Sequence, residues 1–400
     1  MLRVNEIAIV SGARTPMADY QAGKLRYFTA QELGAIAGKC AIQRAGLDPQ
    51  EFDHCVMGNA QQTSGDALYG ARHVALKAGL PIEMPALTVN RLCGSGMQAI
   101  VSAAQMMQLG EARMVLAGGM ESMSQAPHVI RGARYGFGLG EGKLEDSLMV
   151  ALLDTQCGLY MANTAELYAE QQGITRETQD EFALRSQQLA DAAYKGGRLQ
   201  EEIVPVQLKN KRGDLTGEMF SEDDHRRANS TMEGLAKLRP AFGKNGTVTA
   251  GNASGIVDGG AAVVMLPLAE VQKRGLKPLG RLVSWGIAGV EPKLMGRGPV
   301  PASRLALEKA GLKLEDIDLV EVNEAFAAQY LGVEKELGLD RNKVNVNGGA
   351  IALGHPLGAT GTRLVITLLY ELRRRKKKYG LATACIGGGQ GIAVIVESLG

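Results

Sequence analysis

Two stretches of this chain, 265 residues apart, carry the same pattern. Ala41 to Ala60 reads AIQRAGLDPQEFDHCVMGNA, and Ala306 to Ala325 reads ALEKAGLKLEDIDLVEVNEA. In each, an amphipathic helical run ends on Ala-Gly-Leu. An acidic link with a fixed aspartate (Asp53, Asp318) follows, and then a strand-like run. The same offset carries Gly96 onto Gly361, each opening a run of helical periodicity. Each of those runs leads to a strand and a glycine cluster, Met114 to Gly119 and Leu381 to Gly389. Ile7 to Gly12 has an approximate partner in Arg281 to Gly286. A repeat of alternating strands and helices on this scale predicts an α/β fold of two duplicated halves, with mixed sheets in a layered core.

Between the halves the character changes. Residues 122–250 are rich in Gln, Glu, Arg and Met, with a helical run from Thr178 to Tyr194 and a polar loop from Lys209 to Ser230. The stretch is too long and too patterned for a connecting loop, so it reads as an inserted domain. Thr247 to Leu266 returns to buried-strand composition. The expected division is therefore an N-terminal half over 1–121 completed by 251–270, an insert over 122–250, and a C-terminal half over 271–400. The basic run Arg373 to Lys378 closes a helix, where cations complement the dipole, and reads as a solvated helix end.

A formal net charge of +2 over 400 residues gives no reason to expect a nucleic-acid or membrane-surface partner. No apolar run reaches spanning length, and a strand-like run begins almost at the N-terminus, so neither membrane insertion nor export is expected. The cysteines, Cys40, Cys55, Cys93, Cys157 and Cys385, are odd in number and form no CxxC pair. That argues against a disulfide framework or a metal site. It points to a reducing compartment, the cytoplasm, with the mitochondrial matrix as the alternative.

The chemistry gathers at four stretches. Cys93 lies between the strand-like run ending at Asn90 and the helical run from Met97, among small residues. This is the pattern of a nucleophile on a tight strand-to-helix turn, and a helix start favours thiolate. A buried, inert thiol is the other reading. His355 sits in GGAIALGHPLGATG, and Cys93 plus the repeat offset lands on Gly358 in the same loop. Two such turns facing each other would supply the Cys/His pair that thiolate catalysis requires. Cys385 opens CIGGGQG, where a second thiol adjoins glycines whose N–H groups suit an oxyanion. Asn323 and Glu324 close an otherwise apolar strand, at the end where α/β folds bind ligands.

The stretches around Cys93, Asn323, His355 and Cys385 resemble the four signature motifs of the thiolases, and GGMESMS at Gly118 to Ser124 resembles a further family segment. The likeness covers essentially the whole chain. It implies a thiolase-like fold and reversible Claisen condensation of two acyl-CoA molecules or CoA-dependent thiolysis of a 3-ketoacyl-CoA. The implied roles are Cys93 as acyl-carrying nucleophile, His355 as its base and Cys385 as acid/base. Asn323 with a water, and Gly387 with Cys93, would hold the oxyanions. Arg227 would lie near the CoA phosphates, Phe242, Ala250 and Ser254 along the pantetheine, and Met161, Met295 and Phe326 near the acyl group. Acyl-CoA and CoA are then substrates, no cofactor is implied, and a homodimer or homotetramer is expected. Gly234 and Tyr160 stand where acetyl-specific members often have Ser and His, which leaves longer acyl chains open. Two other readings are a decarboxylating ketoacyl synthase, which lacks the second cysteine, and a non-catalytic CoA- or lipid-binding relative, which would lack Cys93, His355 or Cys385.

Overall fold

The computed structural model describes residues 6–242 and 246–400. The first half contains β1 (Ile7–Arg14), α1 (Ala30–Ala45), β2 (His54–Gly58), α2 (Gly70–Ala78), β3 (Ala86–Val89), α3 (Ser95–Leu109) and β4 (Val115–Glu121). The insertion carries α4 (Met161–Gln172) and α5 (Arg176–Lys195). Then come β5 (Val257–Pro267), β6 (Gly280–Gly289), α6 (Pro299–Ala310), β7 (Leu319–Val322), α7 (Ala327–Leu337), α8 (Leu357–Arg375), β8 (Tyr379–Ile386) and β9 (Gln390–Ser398).

The repeat has a direct structural meaning. The glycine of Ala-Gly-Leu ends α1 at Gly46 with φ 65° and α6 at Gly311 with φ 66°. Both are left-handed caps, which glycine adopts without steric cost. Each fixed aspartate binds the backbone where the neighbouring parallel strand begins. Asp53 accepts from the N–H groups of Arg113 and Met114 at 3.0–3.1 Å. Asp318 accepts from those of Lys378 and Tyr379 at 2.9 and 3.1 Å.

The halves do not keep separate sheets. Ile7–Ile9 pairs antiparallel with Gly280–Leu282, joining both into one sheet in the order β7-β8-β9-β6-β1-β5-β4-β2-β3, with the short strand Ala18–Asp19 as a tenth off β5. The layered α/β core of two duplicated halves is as expected, and the seam makes its mixed sheets continuous. Strand alternation then sorts the layers. Ile7, Ile9, Ala261, Val263, Val394 and Val396 face one core with Met97, Ile100, Leu364 and Val365 of α3 and α8. Ala8, Val10, Ala262 and Val264 face α1 and α2. Leu381, Ala393 and Ile395 face α6 and α7. The two arms of the sheet thus close over the α3/α8 pair, giving five layers.

Among its described residues, the stretch over 122–250 has no hydrophobic cluster of its own. Its clusters each borrow from the halves: Ala162, Ala165 and Ala169 pack with Ala328, and Ala190 and Ala193 with Ala352 and Leu353. Val206, Leu208 and Phe220 pack with Phe28 and Leu33. The polar stretch expected as a loop contains the strand Leu215–Phe220, paired with Val206–Lys209. A buried ion-pair knot fastens the insertion to β1. Arg14 binds Glu202 at 2.6 Å and both oxygens of Asp223 at 2.7 and 2.9 Å. The return segment is strand only from Val257, because residues 249–255 form the loop that bonds to Ala325, Ala327 and His355.

α3 and α8 touch where both have glycine. A Cβ on Gly96 would lie 2.6 Å from the Thr362 nitrogen and 2.8 Å from the Gly358 oxygen, and a Cβ on Gly361 would strike the Met97 nitrogen. Thr362 Oγ1 donates to Gly96 O across the contact at 3.1 Å. Backbone cannot retreat as a side chain can. Gly96→Ala is therefore expected to cost about 1–3 kcal/mol of stability, read as a lower denaturant midpoint at unchanged slope. An unchanged midpoint would show that the helices can separate freely.

Candidate active site

The nucleophile turn is built under local strain. β3 ends at Val89, and a single 3₁₀ turn, Leu92–Gly94, leads into α3. Leu92 sits at φ 45°, a left-handed conformation that costs a non-glycine residue of order 1–3 kcal/mol. The surroundings hold it there: Leu92 N–H donates to Asn90 Oδ1 at 2.9 Å, and Ser95 Oγ donates to Leu92 O at 2.7 Å. Gly94 is pressed on the second half, since a Cβ there would meet Ile386 Cδ1 at 2.6 Å. Cys93 is half-buried, and the Gly387 N–H points to its sulfur. The first half thus supplies the thiol, and the strand ends of the second half supply its environment.

His355 precedes α8 and is buried. Its own N–H donates to Gly255 O at 2.9 Å. Nδ1 lies 2.6 Å from Thr360 Oγ1, and that hydroxyl donates its proton to Pro356 O at 3.0 Å. With the one hydroxyl proton given to Pro356 O, the hydrogen of this bond is assigned to Nδ1. Nε2 then carries the lone pair. Asn323 Nδ2 donates to it at 3.3 Å, and Asn323 Oδ1 is buried with no protein partner. Glu324 turns away, accepting from Ser186 Oγ at 2.6 Å, Asn345 Nδ2 at 2.8 Å and the Ile351 N–H at 3.2 Å.

Cys93, His355 and Cys385 line one cavity of about 170 Å³, together with Met161, Met295, Phe326, Phe242 and Ser254. Tyr160 adds to the wall, its ring 5.5 Å from that of Phe242. Arg227 and Ala250 are not in it. They line an outer cleft of about 440 Å³ with Gly234, Ser230 and His225. Residues 250–254 lie between the two spaces, Ala250 and Gly251 on the cleft, Ala253 and Ser254 on the cavity. Arg227 is pinned at the cleft by Asp19 at 2.9 Å. Thr360, Leu152, Ile256 and Leu357 also belong to the site or its wall and had no signal in the sequence, being ordinary helix or loop residues by type.

Burial sets the protonation states. It pushes the Cys93 thiol up to about 11, against the Gly387 N–H, which favours the thiolate, and with a smaller push from the Glu121 charge. It pulls His355 down to about 3, with the Arg363 guanidinium acting in the same direction. Burial also raises Cys385, and the neighbouring Cys93 adds to it. Desolvation works against the thiolate that a helix start favours. The resting state is two thiols and a neutral imidazole.

Residues 7–269 match the family model for the N-terminal domain of thiolase, and residues 276–398 match the model for its C-terminal domain. The chain belongs to the thiolase family. It is 51% identical over 399 residues to the human mitochondrial 3-ketoacyl-CoA thiolase, with 100% of both chains covered. It is 49% identical to an acetyl-CoA acetyltransferase of Cupriavidus necator, covering 98% of this chain and 100% of that one. The crystal structure of the human mitochondrial 3-ketoacyl-CoA thiolase in complex with CoA superimposes with a TM-score of 0.95 at 50% identity, covering 99% of this chain and 98% of that chain. As a thiolase the chain is an acyltransferase. Among its described residues no helix is long and apolar enough to cross a membrane.

A neutral Cys/His pair makes a specific prediction for this thiolase. The alkylation rate of Cys93 by iodoacetamide in the unliganded protein is expected to keep rising from pH 7 to 10, since thiolate forms only as pH approaches about 11. A plateau below pH 8 would reveal a preformed thiolate–imidazolium pair.

Proposed function

We propose that this chain catalyses the reversible CoA-dependent thiolysis of a 3-ketoacyl-CoA to acetyl-CoA and a shortened acyl-CoA, through an acyl-enzyme on Cys93. The observation that carries the reading is the convergence of Cys93, His355 and Cys385 from both halves on one apolar cavity.

In the thiolytic direction His355 Nε2 takes the Cys93 proton as sulfur attacks the 3-keto carbon. A concerted transfer is needed because neither group is charged at rest. The tetrahedral oxyanion collapses, the Cα–Cβ bond breaks, and the acyl group stays on Cys93. The departing acetyl-CoA carbanion takes a proton from the Cys385 thiol, which burial keeps protonated. The Cys385 thiolate then takes the proton of incoming CoA, whose sulfur attacks the acyl-enzyme. Release returns the proton on His355 to Cys93. Run backwards, the same steps condense two acyl-CoA molecules. The Gly387 N–H beside the Cys93 sulfur suits an oxyanion donor, and the unpartnered Asn323 Oδ1 suits a water that, with His355, binds the enolate oxygen.

CoA is assigned to the outer cleft, with Arg227 at its phosphates, Ala250 and Ser254 along the pantetheine beside Phe242, and the thioester at the cavity. Met161, Met295 and Phe326 would meet the acyl group. CoA is a substrate here, and no resident cofactor takes part. The insert over 122–250 is then the CoA-binding part, set between the half over 1–121, completed by 251–270, and the half over 271–400. Edge strand β3 leaves Leu87 exposed, and Leu68 and Tyr69 before α2 are exposed as well, which supports a homodimer or a homotetramer built from it. Five free cysteines fit the cytoplasm or the mitochondrial matrix.

Thiolysis of a 3-ketoacyl-CoA by wild type and two variants tests the reading. Cys93→Ser and Cys385→Ser should each lose roughly 10³-fold or more in kcat, while Cys385→Ser still becomes acylated by acetyl-CoA. Condensation by Cys385→Ser at the wild-type rate would remove its assigned role.

A further inference from the structure

Glu121 ends β4 in the GGMESMS stretch and has no part in the steps above. Its side chain is fully buried. Oε1 accepts from Asn59 Nδ2 at 2.8 Å and the Gln61 N–H at 3.0 Å, and Oε2 from the Ala60 N–H at 3.1 Å and the Gly358 N–H at 2.7 Å. Three donors belong to the loop after β2 in the first half. The fourth belongs to the first turn of α8, three residues past His355. Gly358 is also the residue that the repeat makes equivalent to Cys93. A Cβ there would meet Met120 O, with Gly58 O at 2.9 Å and Asn59 Cα at 3.0 Å, so the turn already lies against the strand ends of the first half.

We propose that Glu121 is a positioning residue, whose carboxylate fixes the His355 turn of one half against the strand ends of the half that carries Cys93. Four N–H donors, two on each oxygen, engage the carboxylate, and the Asn59 amide also reaches Met120 O at 3.2 Å. The titratable groups coupled to it are Cys93 on the turn before α3 and Asp258 on β5. The inference rests on the assignment of Cys93 and His355 as nucleophile and base, so its test reads thiol chemistry as well as turnover.

Glu121→Gln keeps the size but turns an NH2 group toward two of the four donors. Turnover should fall roughly 10- to 100-fold, the scale of a misplacement near 1 Å, with KM for CoA unchanged because the outer cleft is untouched. Removing the charge near Cys93 should at the same time shift its iodoacetamide pH profile downward and raise its reactivity at pH 8 a few-fold. A downward shift of the thiol's pH profile at an unchanged denaturant midpoint separates this effect from loss of stability, which would expose the thiol and lower the midpoint. Glu121→Asp keeps the charge but shortens the reach, so turnover falls with the alkylation profile unmoved. This variant carries the test if the glutamine variant does not fold. Wild-type turnover in Glu121→Gln, or lowered turnover with an unshifted alkylation profile, overturns the proposal. A wild-type protein with no acyl transfer at all would instead defeat the functional reading.

Discussion

The contact between α3 and α8 at Gly96 and Gly361 governs everything around it. Two helices brought together backbone to backbone cannot slide without losing the Thr362–Gly96 hydrogen bond. Each helix starts on a turn that carries chemistry, and each turn rests on the opposite half: Gly94 against Ile386, Gly358 against Met120 and Gly58. The site therefore exists only in the joined molecule. The seam between β1 and β6 and the Arg14 knot to Glu202 and Asp223 hold that joint from the outside. A buried knot of this kind is better read as a register device than as a source of stability, because desolvation offsets most of the attraction.

Dryness is the second constraint. The cavity is apolar, and burial in it is the largest cause that raises both thiols and lowers the histidine. Charge is thus absent until a substrate brings a carbonyl that can accept it. The protein compensates with preorganised groups instead of ions: the Gly387 N–H as a donor, and the His355 Nε2 lone pair, in the tautomer set by Thr360 and Pro356, as an acceptor. Arg363, buried against Glu321 at 3.0 Å, adds a nearby positive charge that keeps the imidazole neutral.

The repeat made much of this legible. The caps at Gly46 and Gly311, the strand-pinning aspartates and the opposition of Cys93 and Gly358 all follow from one offset. The apolar residues expected near the substrate, Met161, Met295 and Phe326, do line the cavity, while Ala250 and Arg227 line the cleft outside it. What the sequence hid shares a cause. Thr360 reads as any helix residue, and Glu121 meets Gly358 across 237 positions, with no periodicity to announce it. The burial that raises the Cys93 thiol was hidden for the same reason, since a helix start is local and burial is not. The joined sheet and the spread of the insertion over both halves likewise depend on contacts between distant segments, such as Phe28 with Phe220.

The central claim is that an acyl group passes through Cys93. The most direct measurement is to mix the protein with acetyl-CoA, quench in acid and map the peptides by mass spectrometry. The account predicts one acetyl group on Cys93, removed by added CoA and absent from Cys93→Ser. An acetyl group on Cys385 instead, or no labelled peptide at all, would contradict it.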